Sequence, residues 1–420
     1  MPHSKNILIS NIKSIVGIMT EPYSLKKGKA QSFVETLDNG YLLIKDGLVS
    51  DFGLMENFPQ SPDYQSIDAK GQYVCPTWCD SHSHLVFAGS REKEFLMRLE
   101  GKTYQEISEE GGGILNSAIR LQHTSEDELY ESAYTRLQKV ISMGTGAIEI
   151  KSGYGLTIES EIKMLRVIQR LSQNSPATIK ATFLGAHAIP TKYKNDRKSY
   201  IDLIINEMLP RIAEENLADY CDVFCDEGFY TVEETDRILT AGAKYGLKPK
   251  IHANELANSG GVQIGIKHNA ISVDHLEEIE QKEIELLSNS ETIPTLLPLC
   301  SFFLNIPYGP GRKLIDAGAG VCLATDYNPG TSPSGNIPLL MSIGSLKMKM
   351  LPNETFNAVT INGACAMELN NELGSISIGK KANLIITQQI PSFEYISYSF
   401  GQSHIDKVIL EGKVVFQRSN

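Results

Sequence analysis

Eight short apolar runs, most ending in polar or ionisable residues, constrain this chain more than any other feature. In order they are VCPTWCDSH, GAIEIKSG, TIKATFLGAH, YCDVFCDEG, PKIHANE, AISVDHLE, TIPTLLPL and GVCLATDYN. Most are separated by longer stretches of helical spacing, such as EDELYESAYTRLQKVISM and ESEIKMLRVIQRLSQ. Strands alternating with helices imply an α/β fold, and eight such runs fit a closed (β/α)8 barrel of the TIM type better than an open sheet. No G-x-G-x-x-G or G-x4-G-K-[ST] loop follows any run, which weakens nucleotide-binding readings. His, Asp, Glu and Tyr gather at the C-terminal ends of the runs. In a barrel those ends open onto one face, where active sites are built, so scattered positions become one pocket.

The flanks have a different texture. NILISNIKSIVGI and YLLIKDGLVSDFG near the start, and GSISIGKKANLIITQ and KVILEGKVVF near the end, read as short strands joined by turns. They predict a small β-sandwich domain from residues 1–75 and 372–420, interrupted by a barrel over 76–371. A chain of 420 residues can bury both cores, and 41% hydrophobic with 21% charged residues is ordinary globular composition. The net charge of −11 argues against nucleic acid as a partner, while a local basic pocket for a small anionic substrate stays compatible with it.

The seven cysteines are scattered and sit mostly in apolar runs, which fits buried free thiols in a reducing compartment. The N-terminus alternates polar and apolar residues like a strand, and no run approaches the roughly 18 apolar residues that span a bilayer. These features predict a cytoplasmic protein with no membrane partner.

Asp80-Ser81-His82-Ser83-His84 closes the first barrel run. On a strand, residues two apart point the same way, so His82 and His84 can face one ion, and neutral imidazole is a common ligand for zinc and similar metals. His252 ends the fifth run as a third candidate, with Glu255 just beyond it as a proton shuttle. His275 ends the sixth run, suited to acid–base work or to steadying an oxyanion, and Asp326 ends the eighth as a carboxylate ligand or proton acceptor. H-x-H alone is a weak signal; its weight comes from these companions at other strand ends. His187, ending FLGAH, belongs to the same set.

This pattern resembles the amidohydrolase superfamily and, within it, the imidazolonepropionase family. The resemblance runs through DSHSHLVFAGSREKEF, EEGGGI, EIKSGYGL, FLGAHAIP, IHANELANSGG, SVDHLE and ATDYNPGTSPSGN, nearly the whole chain. It implies metal ligands at His82, His84, His252 and Asp326, and substrate contacts at Arg91, Tyr154, His187, Glu255, Asn328, Gly330 and Thr331, with Tyr104 as a further candidate. It also implies proton transfer by His275, Glu255 or Asp326. Two departures stand out: Thr331 replaces the usual serine but keeps the hydroxyl, and Asn383 stands in a KANLI segment where KADLV is common.

The activity implied is hydrolysis of the ring amide of 4-imidazolone-5-propanoate to N-formimidoyl-L-glutamate, by a homodimer with one divalent metal, Zn2+ or Fe2+, per subunit. Metal-bound water has its pKa lowered toward about 7. One metal is expected because the fourth run ends Cys225-Asp226-Glu227-Gly228, without the bridging lysine of two-metal relatives, and Lys151 lies on the wrong strand. Arg91 offers a forked donor to the propanoate, although pairing with Glu92 or Glu94 at the surface is the plainer reading of that residue. A single-metal nucleobase aminohydrolase is the competing enzyme reading. An inactive scaffold would be expected to have lost metal ligands.

Overall fold

A computed structural model describes residues 6–58, 64–102, 106 and 112–419. Eight parallel strands form the central sheet: β6 (Trp78–Asp80), β7 (Thr145–Lys151), β8 (Thr178–Ala186), β9 (Tyr220–Cys225), β10 (Lys248–Ala253), β11 (Ser272–His275), β12 (Ile293–Leu296) and β13 (Cys322–Leu323). They are neighbours in chain order. The first and last segments then meet through a parallel Ser83–Tyr327 bridge. Asp326 N–H donates to His82 O at 3.0 Å, and His84 N–H donates to Tyr327 O at 3.0 Å. The seam that closes the barrel is therefore also what brings Asp326 beside the two histidines.

The eight runs become strands because they are buried on both faces, as β7 and β9 are throughout, and because the helical spacers start from strong local signals. Ser125 and Glu128 form a capping box ahead of Glu126–Ser142, and Thr231 and Glu234 do the same ahead of Val232–Lys244. Both helices turn an apolar stripe onto the barrel, through Leu129, Ala133, Leu137 and Val140 in the first and Ile238 and Leu239 in the second.

The two chain ends form a separate mixed sheet. Its strands are β1 (Ile7–Ile18), β2 (Glu35–Lys45), β3 (Leu48–Leu54), β4 (Gln65–Asp68), β5 (Tyr73–Pro76), β14 (Leu384–Thr387), β15 (Ile405–Leu410) and β16 (Lys413–Gln417). They pair in the order β16-β15-β14-β5-β1-β2-β3, with β4 beside β1. Val49 near one end of this path and Ile409 near the other belong to a single core cluster with Ile9, Ile15 and Leu384. The sheet thus folds over a common core, as a sandwich does. Asn383, the departure noted in KANLI, lies in this domain and accepts the Glu411 N–H. All seven cysteines are free, and all but Cys365 are buried.

Candidate metal centre and substrate pocket

Immediately after β6 the chain keeps its strand-like alternation. Ser83 turns away and donates to Glu149 O, while His82 and His84 turn inward. Their ligand atoms lie within 4.8 Å of those of His252, from β10. His252 Nε2 is 3.4 Å from His84 Nε2, and Asp326 Oδ1 is 3.5 Å from His82 Nε2 and 3.6 Å from His84 Nε2. His82 Nε2 is buried without any hydrogen-bond partner in the protein. An orphaned buried nitrogen facing two imidazoles and a carboxylate is what a divalent cation's donor set requires, and three nitrogens with one oxygen suit zinc or ferrous iron. Burial holds both His82 and His84 well below the ordinary histidine range, reinforced by Lys151 for His82 and by His187 for His84. Both therefore stay neutral, the form that ligates metal.

Beneath the donors runs a buried charge network. Asp274 Oδ2 is 2.6 Å from His82 Nδ1, and Asp222 Oδ2 is 3.0 Å from His252 Nδ1. Asp274 holds the imidazole proton of His82 on Nδ1 and leaves Nε2 free for a metal, while Asp222 lies against the His252 ring and accepts its backbone N–H. Lys151 Nζ ties the two together, 2.8 Å from Asp222 and 3.5 Å from Asp274, and also donates to Glu149 at 2.6 Å. Lys250 binds the other oxygen of Glu149. All five groups have almost no exposed surface. Burial opposes the charge on Lys151, but Asp222, Glu149 and Asp274 outweigh it and raise its pKa.

Above the donors a cavity of about 390 Å³ opens. Its walls include His84, Arg91, Tyr154, His187, His252, Glu255, His275, Asp326, Asn328, Gly330 and Thr331. The structure thus brings together every predicted site residue it describes, with His82 just below the cavity floor. Tyr104 lies outside the described residues. His187 stacks on His84, with ring centroids 5.2 Å apart, and Tyr154 sits 5.4 Å from His187.

Arg91 pairs with Glu94 as one reading expects, although this pair is largely buried and not at the surface. Arg91 also lines the cavity, and its Nε and Nη2 donate to Glu94 at 2.9 and 2.5 Å. Asn328 and Thr331 likewise do more than line the wall. Asn328 Nδ2 donates to Asp326 Oδ2 at 2.9 Å, and Thr331 Oγ1 lies 3.3 Å from the same oxygen, so the pair braces the carboxylate ligand.

His275 sits between two carboxylates, with Nε2 3.6 Å from Glu255 and Nδ1 3.5 Å from Glu277. Burial disfavours its charge, yet those neighbours push its pKa up to about 10. Burial also raises Glu255 to about 7, against the pull of His275. Three residues here hold positive φ without being glycine: His275 at 83°, Asp326 at 51° and Asn254 at 56°. Such strained backbone clusters at functional sites.

Several functional neighbours escape sequence reasoning. Asp226 accepts N–H groups from Glu255, Leu256 and Ala257 and the Ser259 hydroxyl, pinning the loop that carries Glu255. Arg98 lines the cavity and donates to Gly330 O at 2.7 Å; its spacing of two helical turns from Arg91 was the available signal. Phe224 follows Asp222 by two on β9, so strand alternation turns it inward too, where it stacks on Phe229 with centroids 4.0 Å apart.

The model of the amidohydrolase family matches residues 73–415. An imidazolonepropionase of Flavobacterium johnsoniae is 53% identical over 97% of this chain and 99% of its own length. One of Thermoanaerobacter pseudethanolicus is 43% identical over 96% of both. The chain belongs to the imidazolonepropionase family of amidohydrolases. Solved structures agree on the fold. Guanine deaminase of E. coli superposes with a TM-score of 0.77 at 14% identity over 99% of both chains. A 5-methylcytosine deaminase of Klebsiella pneumoniae gives 0.73 at 17% identity over 98% of both. As a family member, the protein is a metal-dependent hydrolase of C–N bonds acting on a small molecule. Among the described residues no helix is long and apolar enough to cross a membrane.

Proposed function

We propose that this protein opens the ring of 4-imidazolone-5-propanoate, hydrolysing its amide C–N bond to N-formimidoyl-L-glutamate in histidine degradation. The observation that carries the reading is one cavity whose walls bring together three things: His84, His252 and Asp326 of a His3Asp donor set completed by His82 beneath them, the Glu255–His275 pair, and the Arg91 guanidinium. A divalent ion held by His82, His84, His252 and Asp326, which we take to be Zn2+ or Fe2+, supplies Lewis acidity to the attacking water and to the ring carbonyl.

The chain's own groups do the rest. Arg91, braced by Glu94, receives the propanoate, and Arg98 adds positive charge on the same wall. Tyr154 and His187 flank the flat ring. His275, held between Glu255 and Glu277, donates toward the oxygen that gains negative charge. Glu255, poised near neutrality, protonates the ring nitrogen as the C–N bond breaks, and Asp326 is placed to take a proton from the attacking water. Water's oxygen joins the carbonyl carbon, that carbon becomes the new carboxylate, and the freed nitrogen leaves protonated.

The competing reading is a nucleobase aminohydrolase, the activity in the names of two structural neighbours that share the fold. Absorbance-monitored turnover of imidazolonepropanoate, beside guanine and cytosine, separates the two. Ring opening without ammonia is expected, with KM raised about 10- to 100-fold in Arg91→Ala, as befits loss of one charge-assisted fork. Ammonia released from a base, with imidazolonepropanoate left intact, overturns the proposal. We place the enzyme in the cytoplasm on the strength of its free thiols, and assign it as a homodimer, which light scattering tests.

A further inference from the structure

Cys300 has no part in the hydrolysis described above. It lies in the first turn of the helix Pro298–Leu304 after β12 and is fully buried. Yet its sulfur, an imidazole nitrogen of His275 and a carboxylate oxygen of Glu255 all lie within 4.8 Å of one another. His275 Nε2 and Glu255 Oε2 are already 3.6 Å apart. Donors sharing one tetrahedral ion at bond lengths of about 2.0–2.3 Å stand about 3.5 Å from each other, so a small adjustment of Cys300 completes the set. Burial, and after it the nearby Glu255, Asp326 and Glu277 carboxylates, push the Cys300 thiol well above the ordinary range, so the ion displaces a proton there, while the same carboxylates supply negative charge toward a cation. Sulfur, nitrogen and oxygen together make a softer donor set than the nitrogen-rich one of the first centre.

We propose that Glu255, His275 and Cys300 form a second, weaker metal site for a soft or borderline divalent ion such as Zn2+, and that filling it inhibits the enzyme. The inference rests on the proposed reaction, in which Glu255 carries a proton and His275 donates toward the oxyanion. Binding forms bonds from the ion to the sulfur, to one ring nitrogen and to one carboxylate oxygen, and the thiol proton and any imidazolium proton leave to solvent. The ion then replaces the proton that each of Glu255 and His275 presents to the substrate, and substrate competes with it for the same two residues. The chain thus carries a tight activating centre and, beside it, a site that registers metal excess.

Purified enzyme already holding one equivalent of Zn2+ is titrated with Co2+, and inhibition by added Zn2+ is measured in parallel. The first centre contains no sulfur, so a near-ultraviolet thiolate-to-cobalt charge-transfer band reports only a cysteine-bearing site. The wild type is expected to develop this band, while Cys300→Ser and Cys300→Ala are not. The Zn2+ concentration giving half inhibition, taken relative to each protein's own uninhibited rate, is expected to rise at least tenfold in both variants. A wild type without the band, or variants inhibited at the wild-type concentration, overturns the proposal. The optical titration needs no substrate, so its failure is distinguishable from failure of the assigned reaction.

Discussion

At Glu255 a single atom separates a working proton carrier from an inert copy. Glu255→Gln keeps shape and hydrogen bonding while removing the titrating oxygen, and the Asp226 contacts that hold its loop reach the backbone and stay intact. The kcat is expected to fall about 10²–10⁴-fold, the range for loss of a general acid–base, with metal content unchanged. A variant within tenfold of wild type removes Glu255 from the chemistry.

Gly330 makes a subtler case. A Cβ there would stand 2.2 Å from Arg91 Nη1, the far end of a flexible side chain. In Gly330→Ala the guanidinium moves aside, so stability should hardly change while KM rises about 10- to 100-fold, the effect of misplacing a positioning group. A melting temperature that drops while KM stays fixed refutes this. These two residues also mark how legible the site is. Glu255, His252, His275 and Asp326 are readable because the chain places them at the ends of apolar runs, where barrel geometry gathers them. The close packing of Gly330 on the Arg91 guanidinium is not readable, since the two lie over two hundred residues apart in sequence.

Among the elements, the loop after β10 shows what local sequence leaves out. The run PKIHANE predicts the strand and the direction of His252, but nothing near it in the sequence specifies the backbone of Glu255, Leu256 and Ala257. That information resides in Asp226, just after β9, whose two oxygens collect three backbone N–H groups of this loop and the Ser259 hydroxyl. The end of the fourth strand, which carries no lysine to bridge metals, instead anchors the loop of Glu255 beyond the fifth. Asp226→Ala leaves several donors without their acceptor at about 1–3 kcal/mol for each that stays dry, partly relieved by water. The expected result is a lower melting temperature and a kcat reduced tenfold or more, with Asp226→Asn recovering part of both. Full activity in the alanine variant would show that the loop holds itself. The same limit applies to the positive φ of His275 and Asp326, which only the closed barrel can impose.

Over the whole molecule, the eight-run rhythm and the two β-rich flanks state the architecture, whereas the charged interior contradicts what such runs suggest. Glu149, Lys151, Asp222, Lys250 and Asp274 sit in or beside apolar stretches and read singly as strand-end polar residues. Packed together they place three carboxylates against two ammonium groups in a dry interior, leaving one negative charge; Asp326 adds another. A divalent cation held by the candidate donor set would offset negative charge in this interior and so stabilise the fold. Stripping it with a chelator should lower the melting temperature, and re-addition should restore it. A cation present at a hundredfold above its Kd contributes about 2.7 kcal/mol. Lys151→Met takes away the group that holds Asp222 and Asp274 in place beneath His252 and His82. Breaking a buried pair in this way costs about 3–5 kcal/mol, and loss of support behind metal-binding imidazoles weakens affinity about 10- to 100-fold. The added negative charge acts in the opposite sense by attracting the cation, but an ion gains little from carboxylates that no longer orient its ligands. Chelator competition at equilibrium decides between the two effects: a Kd for Zn2+ that stays equal or tightens in Lys151→Met would show that charge, and not orientation, is what this interior supplies.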